Sequence, residues 1–297
     1  MTALNALVKR NCKLFFKDKG MFFTSLITPL ILLVLYATFL AKVYAETFTA
    51  AMPAGFSVEP ELIDGIVGGQ LVSSLLAVCC VTVAFCSNLL MVQDKVTGAR
   101  KDLTMSPVRS STLSLSYFLA TTLATLLICL VATAVCLGYL YFTGWYMSLA
   151  DVGLLLVDVI LLVLFGTALS SLIIAPLTTN GQASAVGTIV SAGYGFLCGA
   201  YMPISSFSPG LQKVISLLPG TYGTSLLRNH ALQGAFQEMA DIGIPGELVE
   251  GIRDSIDCNL RFFDTKVEIP AMYAVLIGAT VVITLGYVLL CALRKEK

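Results

Sequence analysis

The chain has 297 residues, 57% of them apolar and 12% charged, and its mean hydropathy of +0.88 is far from that of a soluble domain. Its 18 basic residues balance its 18 acidic ones, so net charge points to neither a nucleic-acid partner nor an acidic substrate; only the placement of the charges carries information. Nine cysteines would suggest a disulfide framework in a polar chain, but Cys79, Cys80, Cys86, Cys129, Cys136 and Cys291 lie inside apolar runs, where thiols act as small hydrophobes.

From the N-terminus, Leu4, Leu7, Val8, Cys12, Phe15 and Phe16 recur at helical spacing while Lys9, Lys13 and Lys17 step by four along another face. Residues 1–20 read as a basic amphipathic helix lying on the inner leaflet. The run from Met21 to Leu40 is longer than the roughly 7–15 apolar residues of a signal peptide, and reads as a retained first span. Six apolar runs, at 21–43, 66–92, 113–142, 151–175, 181–203 and 269–293, are long enough to cross about 30 Å of hydrocarbon as helices. The fold class expected is therefore an all-α integral membrane protein: an N-terminal amphipathic interfacial helix, then a six-span domain over 21–297. With both termini on one side, that side holds twelve of the lysines and arginines and the other side six, which places both termini in the cytoplasm.

Between spans two and three, a charged loop at 93–112 carries DKVTGARKDLTMSPVRSS, residues 94 to 111. Ser106 precedes Pro107 and is pushed away from helical geometry, which predicts a short helix of about two turns ending there. Aromatic residues Tyr139, Tyr141, Phe142, Trp145 and Tyr146 read as an interfacial belt at the outer end of span three. In span four, Asp158 is the one clear intramembrane charge; it reads either as an inter-helix hydrogen bond to Thr125 or Thr133 or as a substrate contact on a path shared with them. Span five is rich in Gly, Ala and Ser, and Gly195 to Gly199 is a literal G-x-x-x-G, a packing or subunit interface.

After span five comes an external segment, 204–268. It begins with a half-polar stretch and SLLPGTYGTSLL, broken by Pro219, Gly220 and Gly223, which reads as a re-entrant or interfacial hairpin. From Arg228 to Glu268 the chain is hydrophilic and net acidic, an external cap whose Cys258 has only Cys198 as a conceivable partner. The chain lacks a G-x-x-x-x-G-K-[ST] phosphate loop, and its single histidine, His230, reads as an external polar residue. Neither a metal site nor a hydrolase is indicated.

Three features together resemble the permeases of ATP-binding cassette exporters with the ABCG-like, type V fold. The basic helix before a span bearing Pro29 is similar to that family's connecting helix. DKVTGARKDLTMSPVRSS is similar to its coupling loop, and the small-residue run ending at Pro203, followed by Pro219, Tyr222 and Arg228, is similar to its external hairpin. The resemblance implies an exporter subunit without an ATPase site of its own, with ATP and Mg²⁺ held by a cytoplasmic ABC ATPase that docks on Asp94, Arg100, Lys101, Asp102, Leu103, Met105 and Arg109. It also implies a second permease copy, a cell-membrane location, and a drug, lipid or peptide as cargo. A polysaccharide exporter of the same family and a secondary transporter needing no ATPase are the alternatives; the latter would show coupled carboxylates and inverted repeats.

Overall fold

The computed structural model describes residues 3–42, 59–263 and 265–293. Helices α1 (Ala3–Lys17) and α2 (Lys19–Leu35), the second running on through a π turn at Tyr36–Leu40, precede the long α3 (Pro60–Val96). Then follow α4 (Ala99–Met105), α5 (Ser110–Thr143), α6 (Leu149–Ile174) and α7 (Asn180–Leu197). A 3₁₀ turn at Ile204–Ser206 leads into α8 (Pro209–Ile215), α9 (Pro219–Asp241) and α10 (Gly246–Ser255). A two-stranded antiparallel hairpin, β1 (Arg261–Phe262) and β2 (Thr265–Lys266), leads to α11 (Ile269–Leu293). The last residue of the expected first span and the C-terminal Arg294, Lys295 and Lys297 lie outside the described residues.

Among the described residues, four helices, α3, α5, α6 and α11, are each long and apolar enough to cross a membrane, and α1 with α2, which meet at a 75° bend, make a fifth candidate. The six expected spans are thus four or five by this measure. Helix α7 stops at Leu197, short of the expected end at 203, because Gly199 takes a left-handed φ of 71° and the chain turns through 198–203.

Helix α3 is the axis. It carries no charged residue between Asp64 and Asp94, and its side chains are buried without interruption from Gly65 to Phe85, as expected of a helix apolar on all faces. Helices α2, α5, α6, α7 and α9 pack around it. Lipid tails are as apolar as leucine, so close backbone approach and hydrogen bonds rather than hydrophobic burial hold such a bundle. At Gly166 of α6 an added Cβ would stand 2.8 Å from the Cys80 carbonyl of α3. The outer faces of α5 and α11 expose Leu127, Val131 and Val135, and Val282, Leu285 and Leu289, surfaces suited to lipid. Tyr141, Phe142 and Trp145 are exposed at the end of α5.

The segment after α7 departs most from expectation. Pro219 does not break a helix but starts one, at a position where its missing N–H costs nothing. Helix α9 runs 23 residues through Gly220 and Gly223, buried almost throughout, between α3, α6 and α11. The hydrophilic cap expected from Arg228 onward therefore begins only at Gln237; Arg228, Asn229 and His230 are interior residues. Of the G-x-x-x-G pair, only Gly195 lies in the helix. Gly199 lies beyond the helix, and an added Cβ on Gly195 would meet the ring of Tyr201 at 2.3 Å, so this glycine seats an aromatic of its own chain.

Candidate functional site

At the end of the bundle that carries α1, this helix presents Leu7, Asn11 and Phe15 toward the protein and Lys9, Lys13 and Lys17 away from it. Asp18 caps α2, accepting from the Met21 N–H at 3.1 Å. Just past α3, Gly98 supplies the left-handed φ of 83° from which α4 begins. Ser106, extended at ψ 158° before Pro107, ends α4 after seven residues, as the sequence predicts. Lys101, Asp102 and Arg109 are exposed, Met105 is 85% exposed, and Arg100 is half-buried. Leu103 instead packs inward with Val108 against the cluster of Leu7, Met91, Leu113, Tyr117 and Tyr287.

Asp94 lies in the last turn of α3 and is turned inward. It is not a free acidic residue of the loop: Arg10 donates to its carboxylate at 2.6 and 3.0 Å, and Tyr117 Oη donates to Oδ2 at 2.6 Å. The side chain of Asp94 is 6% exposed. This bidentate pair ties α1 to the end of α3 and to α5. The Asp94 carboxylate holds the Arg10 guanidinium above its ordinary pKa. Lys95 Nζ donates to the carbonyls of Ala175 and Leu177 at 2.6 and 2.7 Å, which fixes the C-terminus of α6 beside the loop.

Asp158 is buried in mid-α6, but not with the expected partners. Thr125 bonds Ser87 Oγ at 3.5 Å and Thr133 bonds the Cys129 carbonyl at 2.7 Å, so neither meets Asp158. Its Oδ2 pairs with His230 Nδ1 at 2.5 Å and its Oδ1 accepts from Tyr273 Oη at 2.5 Å. His230, 6% exposed, is no external residue.

Toward the other end, Arg228 joins four pieces of chain. Its guanidinium donates to the Gly199 carbonyl at 2.5 Å, Ser74 Oγ at 3.1 Å, the Ile256 carbonyl at 2.9 Å and Asp257 Oδ2 at 3.2 Å. Burial pushes the Asp257 carboxyl up, and Arg228 and the Ile204 N–H, which donates to it, pull it back. Pro203 opens the 3₁₀ turn, and Tyr222 Oη donates to the Ser216 carbonyl at 2.6 Å, closing the loop between α8 and α9. Pro203, Pro219, Tyr222 and Arg228 thus do share one region of the fold. Cys198 and Cys258 are both free thiols, and burial pushes Cys258 up to about 12.

Sequence reasoning missed Arg10, His230 and Tyr273 as partners of charged residues. Each lies far along the chain from the carboxylate it meets, 84 residues for Arg10 and Asp94 and 115 for Tyr273 and Asp158; no local pattern reports such a pair. No curated protein matches the chain. The model of the ABC-2 type transporter family matches residues 2–231, a stretch that takes in the N-terminal helix, the α4 loop and α9 as far as His230. The chain belongs to the ABC-2 type transporter family, the membrane permeases of ABC transporters, whose ATP hydrolysis is the work of a partner ABC ATPase.

Proposed function

We propose that this chain is the permease subunit of an ATP-driven exporter in the cell membrane, with both termini cytoplasmic and α2 and α7 completing six spans. Two copies would enclose the path, and α4 with the basic face of α1 would receive the ATPase. Closure of two ATPase cassettes on bound ATP and Mg²⁺ would then switch the path from inward-open to outward-open, which requires the two nucleotide states to contact α4 differently. The apolar character of the spans favours an amphiphilic or hydrophobic cargo such as a drug, lipid or peptide over a polysaccharide.

The observation that carries the reading is α4 itself. It is a short helix held out at the end of α3 by Gly98 and Pro107, with Lys101, Asp102 and the 85% exposed Met105 pointing away from the protein. An exposed methionine flanked by charges is a suitable anchor for a protein partner. Lys95 and the Arg10–Asp94 pair fix its base to α6 and α1, so a push on α4 reaches three helices. The test is a photo-reactive residue placed at Asp102 in cells. Capture of an ABC ATPase, lost when Arg100 and Lys101 are replaced by Glu and absent with the probe at Phe142, is the expected result. A folded, abundant chain that captures no ATPase from Asp102 overturns the coupling role.

A further inference from the structure

Neither the family match nor the coupling surface uses the polar cluster where α6, α9 and α11 meet. Asp158 of α6 has a fully buried side chain, and each of its oxygens is taken by a different helix, His230 from α9 and Tyr273 from α11, both at 2.5 Å. The imidazole and phenol rings also lie at 28° to one another with centroids 6.3 Å apart. Other charged groups on the elements around α9 are directed elsewhere. Arg228, two residues before His230 and on another face of α9, is bonded to Asp257. Arg253 of α10 donates to Gln233 and lies over Phe236, and Glu250 pairs with Lys266. Asp151 of α6 closes its own helix cap with Ser148. Helix α3 meets α9 through Leu62, Ile66, Gly69 and Ser74, none of them titratable in this range.

We propose that Asp158, His230 and Tyr273 form a proton-binding site, and that its occupancy sets whether α9 stays docked between α6 and α11. With one proton shared between imidazole and carboxylate, the site is neutral overall and the short His230–Asp158 contact is a hydrogen bond with a single proton. Loss of that proton leaves a buried negative charge, and gain of a second leaves a buried positive one. Either state lacks a counter-ion, which in such surroundings is costly. The titration belongs to the pair rather than to either residue. The His230 side chain keeps 8% exposure and Tyr273 is only half-buried, so the cluster lies at the edge of the bundle rather than sealed at its centre. The inference does not rest on the exporter reading; it would hold for any cargo.

His230 is the sole histidine of the chain, so selective ¹⁵N labelling of histidine reports this ring alone. The full chain in lipid nanodiscs is titrated from about pH 5 to about pH 9, the range that brackets imidazole. The expected result is one titrating resonance whose midpoint moves by about a pH unit, a tenfold change in proton affinity, in Asp158→Asn. The thermal unfolding midpoint should peak within this range in the wild type, whereas in the variant, which has no buried carboxylate to leave unpaired, the fall on the alkaline side should disappear and only the fall toward acid remain. Should Asp158→Asn not accumulate, Tyr273→Phe, which removes one hydrogen bond and no charge, must also displace the His230 midpoint. A ring that does not titrate in this range, or whose midpoint is unmoved by these changes, overturns the proposal.

Discussion

The Arg10–Asp94 pair shows what a single contact contributes where α1 meets the end of α3. Exposed ion pairs are worth little, since both partners exchange good hydration for a screened attraction. Here the two ends are unequal: the Arg10 side chain is 30% exposed and that of Asp94 only 6%. Removing Arg10 would leave a carboxylate in a buried position with Tyr117 as its main donor, whereas Asp94→Asn removes the charge and keeps an acceptor. We expect Arg10→Met to cost about 2–3 kcal/mol and Asp94→Asn distinctly less, measured by thermal unfolding in detergent. Equal losses would show that the charge is not what matters. The sequence groups Asp94 with the charged loop, whereas it stands in the last turn of α3 with its carboxylate turned to Arg10 and Tyr117. Neighbouring charges in a sequence look like one surface, but at the end of a helix successive side chains point in different directions, and Asp94 points inward while Lys101 and Asp102 point out.

At the scale of elements, α3, α5, α6 and α11 were legible because an unbroken apolar run admits one solution in lipid. Helix α4 was legible from Pro107, which restricts the residue before it. Helix α9 was not, because its mixture of Gly, Thr, Ser, Arg, Asn and His carries no apolar stripe. From Gly220 to Leu232 it is buried on every side, so no polar face exists there to contrast with an apolar one. The readable signal was its glycines, which mark close approach rather than a break. At Gly234 an added Cβ would stand 1.7 Å from the Tyr146 carbonyl oxygen, a backbone atom that cannot rotate aside. Gly234→Ala is therefore expected to destabilise by about 3 kcal/mol through overpacking. Gly138→Ala in α5, where nothing lies within 4 Å of the added Cβ, should be neutral or stabilising by up to about 1 kcal/mol. Unfolding midpoints of the two variants, compared in the same membrane mimetic, separate packing from helix propensity.

For the whole molecule, α3 joins two polar fastenings. Ser74 meets Arg228 in the first half of α3 and Asp94 meets Arg10 in its last turn, about 30 Å apart along the helix. Beyond the Arg228 fastening, α10 and the β hairpin are held by charges in a different regime. Asn259 Nδ2 donates to Glu250 at 2.7 Å and to Asp254 at 2.8 Å, and Lys266 and Arg261 add ion pairs to the same carboxylates. Both carboxyls are therefore held below their ordinary values, Asn259 being the largest cause in each case. A depressed carboxyl contributes stability that is present above its unfolded value, 4.5 for Glu250 and 3.8 for Asp254, and is lost as pH falls through the folded value. Asp257 works in the opposite sense, because burial raises its carboxyl and protonation there favours the fold. Acid should thus loosen the β hairpin and α10 before it loosens α9. Amide exchange corrected for intrinsic rates, compared between about pH 7 and about pH 3, should show loss of protection over 250–266 with residues 226–232 retained. Asn259→Ala should lower protection of the hairpin at neutral pH and shrink its dependence on acid. Simultaneous loss at both segments would mean that the Arg228 fastening, and not the exposed carboxylates, sets the acid limit of this end of the molecule.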